Sequence, residues 1–453
     1  MLVTAPTTRN LITDYYHVIA DAVRRCEAGP GGPAGTPAFA PGFELPELTA
    51  QARQFYAAAT ASWHLLPDYH GHSLRLLDLT GNPGTQTTKT FASMLIVARA
   101  VEHIRRTGTA VCIFTPTSAN KGVALRDAVA RAHAAGLVSP EQLSVVVLAP
   151  DSTRHKFRRD ALTADAELRA RNPLLRFRGT EPEGVKPLGR AFVDAYAAQA
   201  LQRHGVALWF SLDLKNYLVA DAARAAFEAE VSPTASAPPR WHAHSVSSAF
   251  GLLGYNLGRD VLEASGHASA ADRPGFLLVQ HLGTPDMVLS LRHGSFSREH
   301  LPRYTMDQTT GVWSQDADAH YPSVTDDPAE VLDPTFYTHR PVTSPAMNDL
   351  IARHGGDGIV VSRRECVARY PLLREWLAGV GQALPDDTAN LREWSIVMAL
   401  TGVCNAIDRG LVPAGTEVVV HGSGNYASGF PVAEPDAEVD TVDDIAAAVL
   451  GNR

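Results

Sequence analysis

Short apolar runs alternate with longer amphipathic segments from Leu74 onward, and this alternation constrains the fold more than any other feature of the sequence. Short apolar runs bounded by turn residues are typical of buried strands, while the segments between them have the periodicity of helices. The predicted strands are Leu74–Leu79, Ala110–Phe114, Leu143–Leu148, Ala207–Phe210, Phe276–Gln280 and Thr416–Val420. The helices predicted between them include Thr90–Arg105, Val123–Ala135 and Tyr217–Glu230. Alternation of this kind predicts an α/β fold with mostly parallel sheets.

The part of the chain that precedes the first predicted strand has a different pattern. Helical spacing over Asn10–Ala28 and over Pro46–Leu66 predicts an N-terminal extension that packs on the main body. The Pro/Gly-rich stretch Gly29–Pro46 predicts an irregular connection between the two. Further along, Ser232–Pro239 is typical of a short linker, and the polar stretch His293–Val342 predicts a long surface excursion.

Composition argues against several classes of protein. The 453 residues include 40 basic and 48 acidic side chains with no long block of one sign, which argues against nucleic acid as the main partner. No apolar run reaches the ~20 residues that a membrane-spanning helix needs, and the first residues lack the pattern of a secretory signal. The four cysteines form no C-x-x-C pair, which argues against a zinc ribbon or a disulfide scaffold. We therefore expect a cytoplasmic protein that binds neither a metal nor a membrane.

The loop after the first predicted strand contains Lys89 and leads into a helix, where backbone N–H groups favour anions. Lys89 and Thr90 would complete a phosphate-binding P-loop, but Pro83 and Thr88 occupy the places where that motif requires glycine. Two interpretations of Lys89 remain from this loop alone: a lysine that forms a Schiff base, or a solvated lysine at a helix start. The chain offers five amines for such chemistry, on Lys89, Lys121, Lys156, Lys186 and Lys215.

Polar loops follow other predicted strands as well, and in parallel sheets ligands bind at the carboxyl ends of the strands. Thr115–Gly122 and His244–Gly251 each carry small hydroxyl side chains into a helix start, which suits a carboxylate or another anion. His421–Gly429 has three glycines, but their spacing is too long for a dinucleotide fingerprint, and prolines follow instead of a helix. The pair His242 and His244 lacks a carboxylate or Cys at metal-ligand spacing, so we expect no metal site.

The order of these loops resembles that of the fold-type II pyridoxal-phosphate (PLP) enzymes, the tryptophan synthase β-like group, and within them threonine synthase and its relatives. Asn82–Lys89 is similar to the family's Asn-Pro-x-Gly-x-x-Lys turn, with one more residue before the lysine. Thr117–Gly122 is similar to the family's Ser-x-Gly-Asn-x-Gly loop, with Thr for Ser and Ala for the first Gly. Further similar segments, in the same order, are Pro150 with Lys156, Gly355–Ser362 and Ala406–Val420.

This resemblance implies a two-lobed α/β fold whose parallel sheets are flanked by helices. It divides the chain into an N-terminal extension with the start of the large PLP domain (residues 1–92), a small α/β domain (93–210) and the remainder of the large PLP-binding domain (211–453). It also implies pyridoxal 5'-phosphate as the cofactor, a small-molecule amino-acid substrate and a homodimer.

The resemblance implies individual roles for residues that match the family's motifs. Lys89 would hold the cofactor as a Schiff base and then move the substrate Cα proton. The other cofactor-binding residues would be Asn120 at the ring hydroxyl, Ser247, Ser248, Ala249 and Gly251 at the phosphate, and His421 or Ser423 at the ring nitrogen. The substrate would be bound by Thr85, Thr117, Ser118 and Ala119, of which the last three would cradle its carboxylate.

Two departures from the family pattern bear on function. The implied phosphate loop has no glycine before Gly251, and His421 stands where the family has Ser or Thr. The resemblance implies a PLP-dependent lyase or transferase that catalyses β- or γ-elimination or replacement on an amino acid. The departures point to a member specialised in amino-acid biosynthesis. The alternative is a non-catalytic relative that keeps the fold as a binding or scaffold protein.

Overall fold

The computed structural model describes residues 6–28, 39–232 and 238–451. Residues 29–38 of the Pro/Gly-rich connection and residues 233–237 of the linker lie outside the described residues. No helix within the described ranges is long and apolar enough to cross a membrane.

Strands and helices alternate along most of the chain, as the apolar pattern predicts. The strands are β1 (Thr7–Asn10), β2 (Thr60–Leu65), β3 (Leu74–Asp78), β4 (Ala110–Pro116), β5 (Leu143–Pro150), β6 (Leu174–Phe177), β7 (Val206–Phe210), β8 (Arg240–Ser245), β9 (Gly275–His281), β10 (Thr305–Met306), β11 (Trp313–Ser314), β12 (Val324–Thr325), β13 (Gly356–Val361), β14 (Glu417–Gly422) and β15 (Ala437–Val439). The helices are α1 (Tyr16–Ala28), α2 (Ala50–Tyr56), α3 (Lys89–Thr107), α4 (Asn120–Ala134), α5 (Ala161–Ala164), α6 (Ala166–Arg171), α7 (Val185–His204), α8 (Lys215–Asp221), α9 (Ala223–Val231), α10 (Phe250–Ala264), α11 (Asp286–His293), α12 (Ser344–His354), α13 (Arg363–Gly379), α14 (Ser395–Asp408) and α15 (Val442–Leu450).

The chain forms two compact units, each made from three segments. The seven-stranded unit comprises the described residues of 1–9, 60–81 and 224–428, and the five-stranded unit comprises those of 10–59, 82–223 and 429–453. These borders differ from the expected ones after residues 92 and 210. Because α3 packs against both α4 and α8, residues 82–92 and 211–223 belong with the five-stranded sheet.

The seven-stranded unit is built on a sheet with the strand order β1-β2-β3-β14-β8-β9-β13. Its strands β3, β14, β8, β9 and β13 run parallel, and β2 is antiparallel to β3. An apolar core that includes Trp241, Leu277 and Leu400 packs α13 and α14 against this sheet. Since the parallel strands share one direction, the loops that follow β3, β14 and β8 lie at the same edge of the sheet.

The five-stranded unit is built on a sheet with the strand order β15-β6-β5-β4-β7, in which all neighbouring pairs are parallel. An apolar core that includes Phe114, Phe192 and Val449 packs α7 and α15 against it. Strand β4 lies between β5 and β7. The loops that follow β4 and β7 are therefore neighbours at the carboxyl edge of this sheet.

Four elements differ from the sequence-based expectation. The helix predicted over Pro46–Leu66 is the short helix α2 followed by strand β2, because the alternating burial of Thr60–Leu65 suits a strand near the sheet edge. The helix predicted over Asn10–Ala28 forms only in its second part, as α1. The helix predicted over Tyr217–Glu230 is divided into α8 and α9. The excursion His293–Val342 contains a small antiparallel sheet of β10, β11 and β12.

Candidate active site

The loop before α3 is held in shape by its own amide and hydroxyl side chains. Asn82 Oδ1 accepts the N–H of Gly84 at 3.0 Å, and Asn82 Nδ2 donates to Thr90 Oγ1 at 3.2 Å. Thr85 Oγ1 lies 2.6 Å from Thr90 Oγ1, so Thr85, which is 1% exposed, is engaged inside the loop. Lys89 then begins α3 as a half-buried residue. The loop thus gives the Lys89 backbone a fixed place at a helix start.

The loop between β4 and α4 contains the predicted carboxylate-binding residues Thr117, Ser118 and Ala119. Thr117 Oγ1 accepts the N–H of Ala119 at 3.1 Å and the N–H of Gly122 at 3.3 Å. Ala119 precedes α4 with a φ of 124°, a conformation that glycine normally provides. Asn120 begins α4 and is half-buried. The loop therefore holds at Ala119 a backbone conformation that favours glycine.

Two amines of the five-stranded unit lie beside one aromatic ring. Lys89 Nζ is 5.5 Å from the centroid of the Tyr217 ring, and Lys121 Nζ is 5.8 Å from it. Lys121 Nζ donates to the carbonyl oxygen of Ser211 at 2.8 Å and to Ser211 Oγ at 3.0 Å. Burial and, after it, the charge of Lys89 lower the pKa of Lys121 to about 7, against the opposing effect of Asp213. Lys121 therefore loses its proton far more readily than an ordinary lysine.

The loop between β8 and α10 carries the residues predicted to bind a phosphate. Ser247 and Ser248 are half-buried, and Ala249 is buried with a left-handed backbone (φ 51°, ψ 22°). The carbonyl of Ala249 accepts the N–H groups of Leu252 and Leu253, at 3.1 Å each, and so starts the helix. The N–H groups before Leu252 have no intrahelical acceptor, and such a helix start favours an anion.

Backbone strain is concentrated in these loops. The structure describes five non-glycine residues with positive φ, and three of them, Gln86, Ala119 and Ala249, lie in the loops before α3, α4 and α10. Each such residue costs about 1–3 kcal/mol and persists only where its surroundings impose the conformation. The concentration of strain marks the three loops as functional candidates.

A buried arginine occupies the space beside Gly251, in the first turn of α10. A Cβ atom on Gly251 would lie 2.5 Å from Arg224 Nη1 and 3.1 Å from His244 Cε1. Arg224 is only 1% exposed. Its guanidinium therefore lies against the start of α10, and no side chain fits at Gly251 without moving it.

His421 is part of a buried hydrogen-bonded chain. Arg224 Nη1 lies 3.1 Å from His421 Nδ1, and His421 Nε2 lies 2.8 Å from His242 Nδ1. Because a guanidinium can only donate, His421 Nδ1 accepts, and the ring hydrogen on Nε2 is directed at His242. Burial and, after it, His242 and Arg224 hold the pKa of His421 well below its usual range. His421 is therefore neutral, and both of its ring nitrogens are engaged within the seven-stranded unit.

The row of buried polar side chains that begins at Arg224 and passes through His421 and His242 ends at the carboxylate of Glu228. His242 Nε2 is 3.2 Å from Glu228 Oε1, and Arg240 Nη1 donates to the same oxygen at 2.6 Å. Burial alone raises the pKa of Glu228, but His242 and Arg240 more than offset this and lower it to about 2. We call this cluster, contributed by α9, α10, β8 and β14, the polar layer; its members are Arg224, Glu228, Arg240, His242, Tyr255, Glu417 and His421.

Ser423 lies beyond the polar layer, directly after β14. Its Oγ is 3.3 Å from Ser245 Oγ at the end of β8. Of the two residues predicted for the ring nitrogen, His421 thus has partners in the polar layer, whereas Ser423 presents a hydroxyl at the carboxyl edge of the sheet. Among the residues that the structure describes, no group of three or more His, Cys, Asp or Glu side chains could hold a metal ion.

Sequence reasoning missed several residues that the structure brings to these loops. Ser211 and Tyr217 meet the two lysines, and Arg224 meets Gly251. No motif marks these positions, because their partners are distant along the chain. Lys121 has two signals in the sequence, the scarcity of lysine and its place beside Asn120 in the loop before α4.

The chain matches one family model and is similar in fold to several solved structures. A family model described as "Family of unknown function (DUF6002)" matches residues 7–453. No curated protein matches significantly. The solved threonine synthase of Escherichia coli is similar with a TM-score of 0.53 and 15% identity, over 88% of this chain and 82% of that chain.

Two further threonine synthases are similar. That of Brucella melitensis, solved with PLP bound, has a TM-score of 0.53 and 12% identity over 95% of this chain and 80% of that chain. The yeast enzyme has a TM-score of 0.50 and 11% identity over 88% of this chain and 74% of that chain. The predicted fold, that of the fold-type II PLP enzymes, is confirmed; at these identities the likeness concerns the fold alone.

Proposed function

We propose that this chain, which belongs to the Family of unknown function (DUF6002), is a pyridoxal-phosphate-dependent lyase or transferase acting on an amino acid. The observation that carries the proposal is the strain at Ala119 and Ala249. Both alanines hold glycine-like backbones at helix starts that follow parallel strands, where ligands bind in such sheets. In a chain with the threonine synthase fold, the simplest reason for keeping two strained helix starts is that each binds an anionic group.

Each of the two units, taken by itself, carries groups that this cofactor would need. PLP needs an amine for its aldehyde, an anion site for its phosphate and a hydrogen-bonding partner for its ring nitrogen. Lys89 offers the amine, and the strained start of α10 with the hydroxyls of Ser247 and Ser248 offers the anion site. For the ring nitrogen we propose Ser423, because His421 already has a partner at each ring nitrogen.

The proposal gives the chain's own groups the following roles. When bound, PLP supplies an electron sink that stabilises negative charge at the substrate Cα. Lys89 would hold the aldehyde of the cofactor through its amine and would move the Cα proton of the substrate. The loop Thr117–Ala119 would orient the substrate carboxylate at the start of α4, and Asn120 would hold the ring hydroxyl. Loss of a leaving group from the β or γ carbon, with or without replacement, is the reaction that this arrangement serves.

The first test is the visible absorption spectrum of the protein, as purified and after addition of PLP. We expect a band that borohydride removes, with the reduced cofactor found on the Lys89 peptide by mass spectrometry. Lys89→Ala should lose the band, whereas the control Lys186→Ala, on α7, should keep it. Absence of a band in the native protein after PLP addition would contradict the proposal and favour the non-catalytic binding or scaffold protein.

Turnover is the second readout. Amino acids that carry a phosphate, acyloxy or hydroxyl leaving group are screened for release of that group. Because a positioned acid–base group contributes roughly 10²–10⁴-fold, we expect Lys89→Ala to lower the rate of an active substrate by about a thousandfold. A Lys89→Ala variant with full turnover would assign the proton transfer to another residue.

A further inference from the structure

The loop before α10 accepts hydrogen bonds from the side chains of two other parts of the seven-stranded unit. Thr343, the residue before α12, donates from its Oγ1 to the carbonyl oxygen of Ser248 at 2.7 Å. Gln280, on β9, donates from its Nε2 to the carbonyl oxygen of Val246 at 3.3 Å. Both donors belong to buried residues, since Thr343 is 3% exposed and Gln280 is 1% exposed. The loop is therefore held at two of its carbonyl groups, one on each side of Ser247.

The hydroxyl of Thr343 does not cap the helix that follows it. A threonine that precedes a helix normally accepts an N–H group from the first turn of that helix. Thr343 makes no such hydrogen bond with α12, which begins at Ser344. Its hydroxyl donates to the carbonyl of Ser248 instead. The threonine therefore holds the loop before α10 and not its own helix.

The orientation of the Gln280 side chain is fixed by its other partners. Its Oε1 accepts the N–H groups of Met287 and Val288, at 2.8 Å and 3.1 Å, in the first turn of α11. Because backbone N–H groups can only donate, the amide oxygen must face α11, and the Nε2 group must face the loop. Gln280 thus connects the start of α11 with the entry to the loop before α10.

A hydrogen bond that holds a carbonyl also orients the N–H group that follows it. In a planar trans peptide the C=O and the next N–H point in opposite directions, and none of the described peptide bonds is cis. The Ala249 N–H is therefore directed away from Thr343, and the Ser247 N–H is directed away from Gln280. Within the described parts of the chain, neither of these N–H groups has a hydrogen-bond acceptor. Ala249 is only 3% exposed, and donors of buried residues rarely lack an acceptor, so an anion suits this helix start.

We propose that Thr343 is a positioning residue for the phosphate group of the cofactor: by holding the Ser248 carbonyl, it directs the Ala249 N–H to the anion. Gln280 supports this arrangement by fixing Val246 at the entry to the loop. The identity of the anion, as the phosphate of PLP, rests on the proposed function. The orientation of the N–H group is a property of the chain without cofactor, so it can be tested with inorganic phosphate.

The experiment measures the binding of inorganic phosphate to the cofactor-free protein by hydrogen–deuterium exchange, read out by mass spectrometry on the peptide that contains residues 246–253. Wild type is compared with Thr343→Val, which keeps the shape of the side chain but not its hydroxyl, and with Thr343→Ser, which keeps the hydroxyl. Thr325→Val is the matched control. The hydroxyl of Thr325, a buried residue of the same unit, also donates to a backbone carbonyl, that of Asp327 at 3.0 Å.

In the wild type we expect phosphate to slow the exchange of this peptide. Loss of one hydrogen bond corresponds to a change in affinity of roughly 3- to 10-fold, so Thr343→Val should raise the phosphate concentration at half protection by that factor. Thr343→Ser should restore the wild-type value, and Thr325→Val should keep it. Binding of PLP should weaken by the same factor in Thr343→Val, whereas binding of pyridoxal, which has no phosphate, should not change.

Equal half-protection concentrations in wild type and folded Thr343→Val would overturn the proposal, and so would a wild type that phosphate does not protect. If Thr343→Val does not fold, Thr343→Ala takes its place with the same expected result and the same refutation. A loss of affinity as large for pyridoxal as for PLP would show a merely structural role and would also refute the proposal. Failure of the proposed function has a different signature: the protein shows no absorption band with PLP, while phosphate still protects the loop in the wild type and protects it less well in Thr343→Val.

Discussion

Gly251→Ala is expected to destabilise the protein, although alanine in place of glycine normally stabilises a helix by about 1 kcal/mol. The new Cβ would lie 2.5 Å from Arg224 Nη1 and 3.1 Å from both Arg224 Cζ and His244 Cε1. The sign of the change therefore tests whether the polar layer beneath α10 is rigid.

The size of the expected loss of stability follows from the displacement of the Arg224 side chain. Arg224 is 1% exposed, so its guanidinium has no solvent to move into, and shifting it lengthens the 3.1 Å hydrogen bond to His421. Overpacking of a core costs about 1–3 kcal/mol, and a hydrogen bond of a charged group contributes about 1.5–3 kcal/mol. After subtraction of the roughly 1 kcal/mol of helix propensity that alanine adds, we expect a net loss of about 1.5–5 kcal/mol.

The assay is urea unfolding followed by circular dichroism, with Gly379→Ala as the matched control. Gly379 ends α13, is exposed, and would have no atom within 4 Å of its Cβ. The control should be as stable as the wild type or more stable, by up to about 1 kcal/mol. The reasoning is refuted if Gly251→Ala behaves like Gly379→Ala, because Arg224 would then move at no cost.

The remaining predictions concern buried charge and pH. Glu228→Gln should lower the free energy of unfolding by about 1.5–3 kcal/mol, because Arg240 loses one carboxylate 2.6 Å away and keeps that of Glu417. The control Glu230→Gln, in an exposed ion pair of the same helix, should cost less than about 1 kcal/mol in urea unfolding. The hydrogen bond of His320 to Asp357, at 3.1 Å, outweighs burial and raises the pKa of His320, so its contribution to stability is complete below the unfolded pKa and disappears as pH rises through the folded one. The urea midpoint of the wild type should therefore fall as pH rises through neutrality, and His320→Gln should lack that part of the dependence.

The apolar strands could be predicted from sequence because their inward residues are hydrophobic. Leu143–Leu148 and Phe276–Gln280 lie inside β5 and β9, which are buried along their whole length. Strand β8 was missed for the opposite reason. It places Arg240, His242 and His244 in the interior, where hydrogen bonds and ion pairs replace apolar contacts. The strand's apolar residues are only Trp241 and Ala243, and two alternating positions are too few to indicate a strand.

Part of the candidate site could likewise be predicted from the sequence, and part could not. Motif order suggested Lys89 and the loops before α4 and α10, and these role assignments remain predictions. The contacts around them join residues that are far apart in sequence: Lys121 and Ser211 are separated by 90 positions, and Arg224 and His421 by 197. Contacts of this range depend on the order of strands in the sheet, which short motifs do not encode.

The polar layer also explains how the loop before α10 keeps its shape although no glycine precedes Gly251 in it. Ala249 costs about 1–3 kcal/mol in its left-handed conformation, so neighbouring structure has to impose that backbone. The chain from Arg224 through His421 and His242 to Glu228 joins α9, β14 and β8 beneath the start of α10. Glycine is then needed only where a side chain would displace this chain of hydrogen bonds, and that position is Gly251. The same network holds His421 as a neutral residue of the interior, and for this reason we propose Ser423, whose hydroxyl lies 3.3 Å from that of Ser245, for the ring nitrogen.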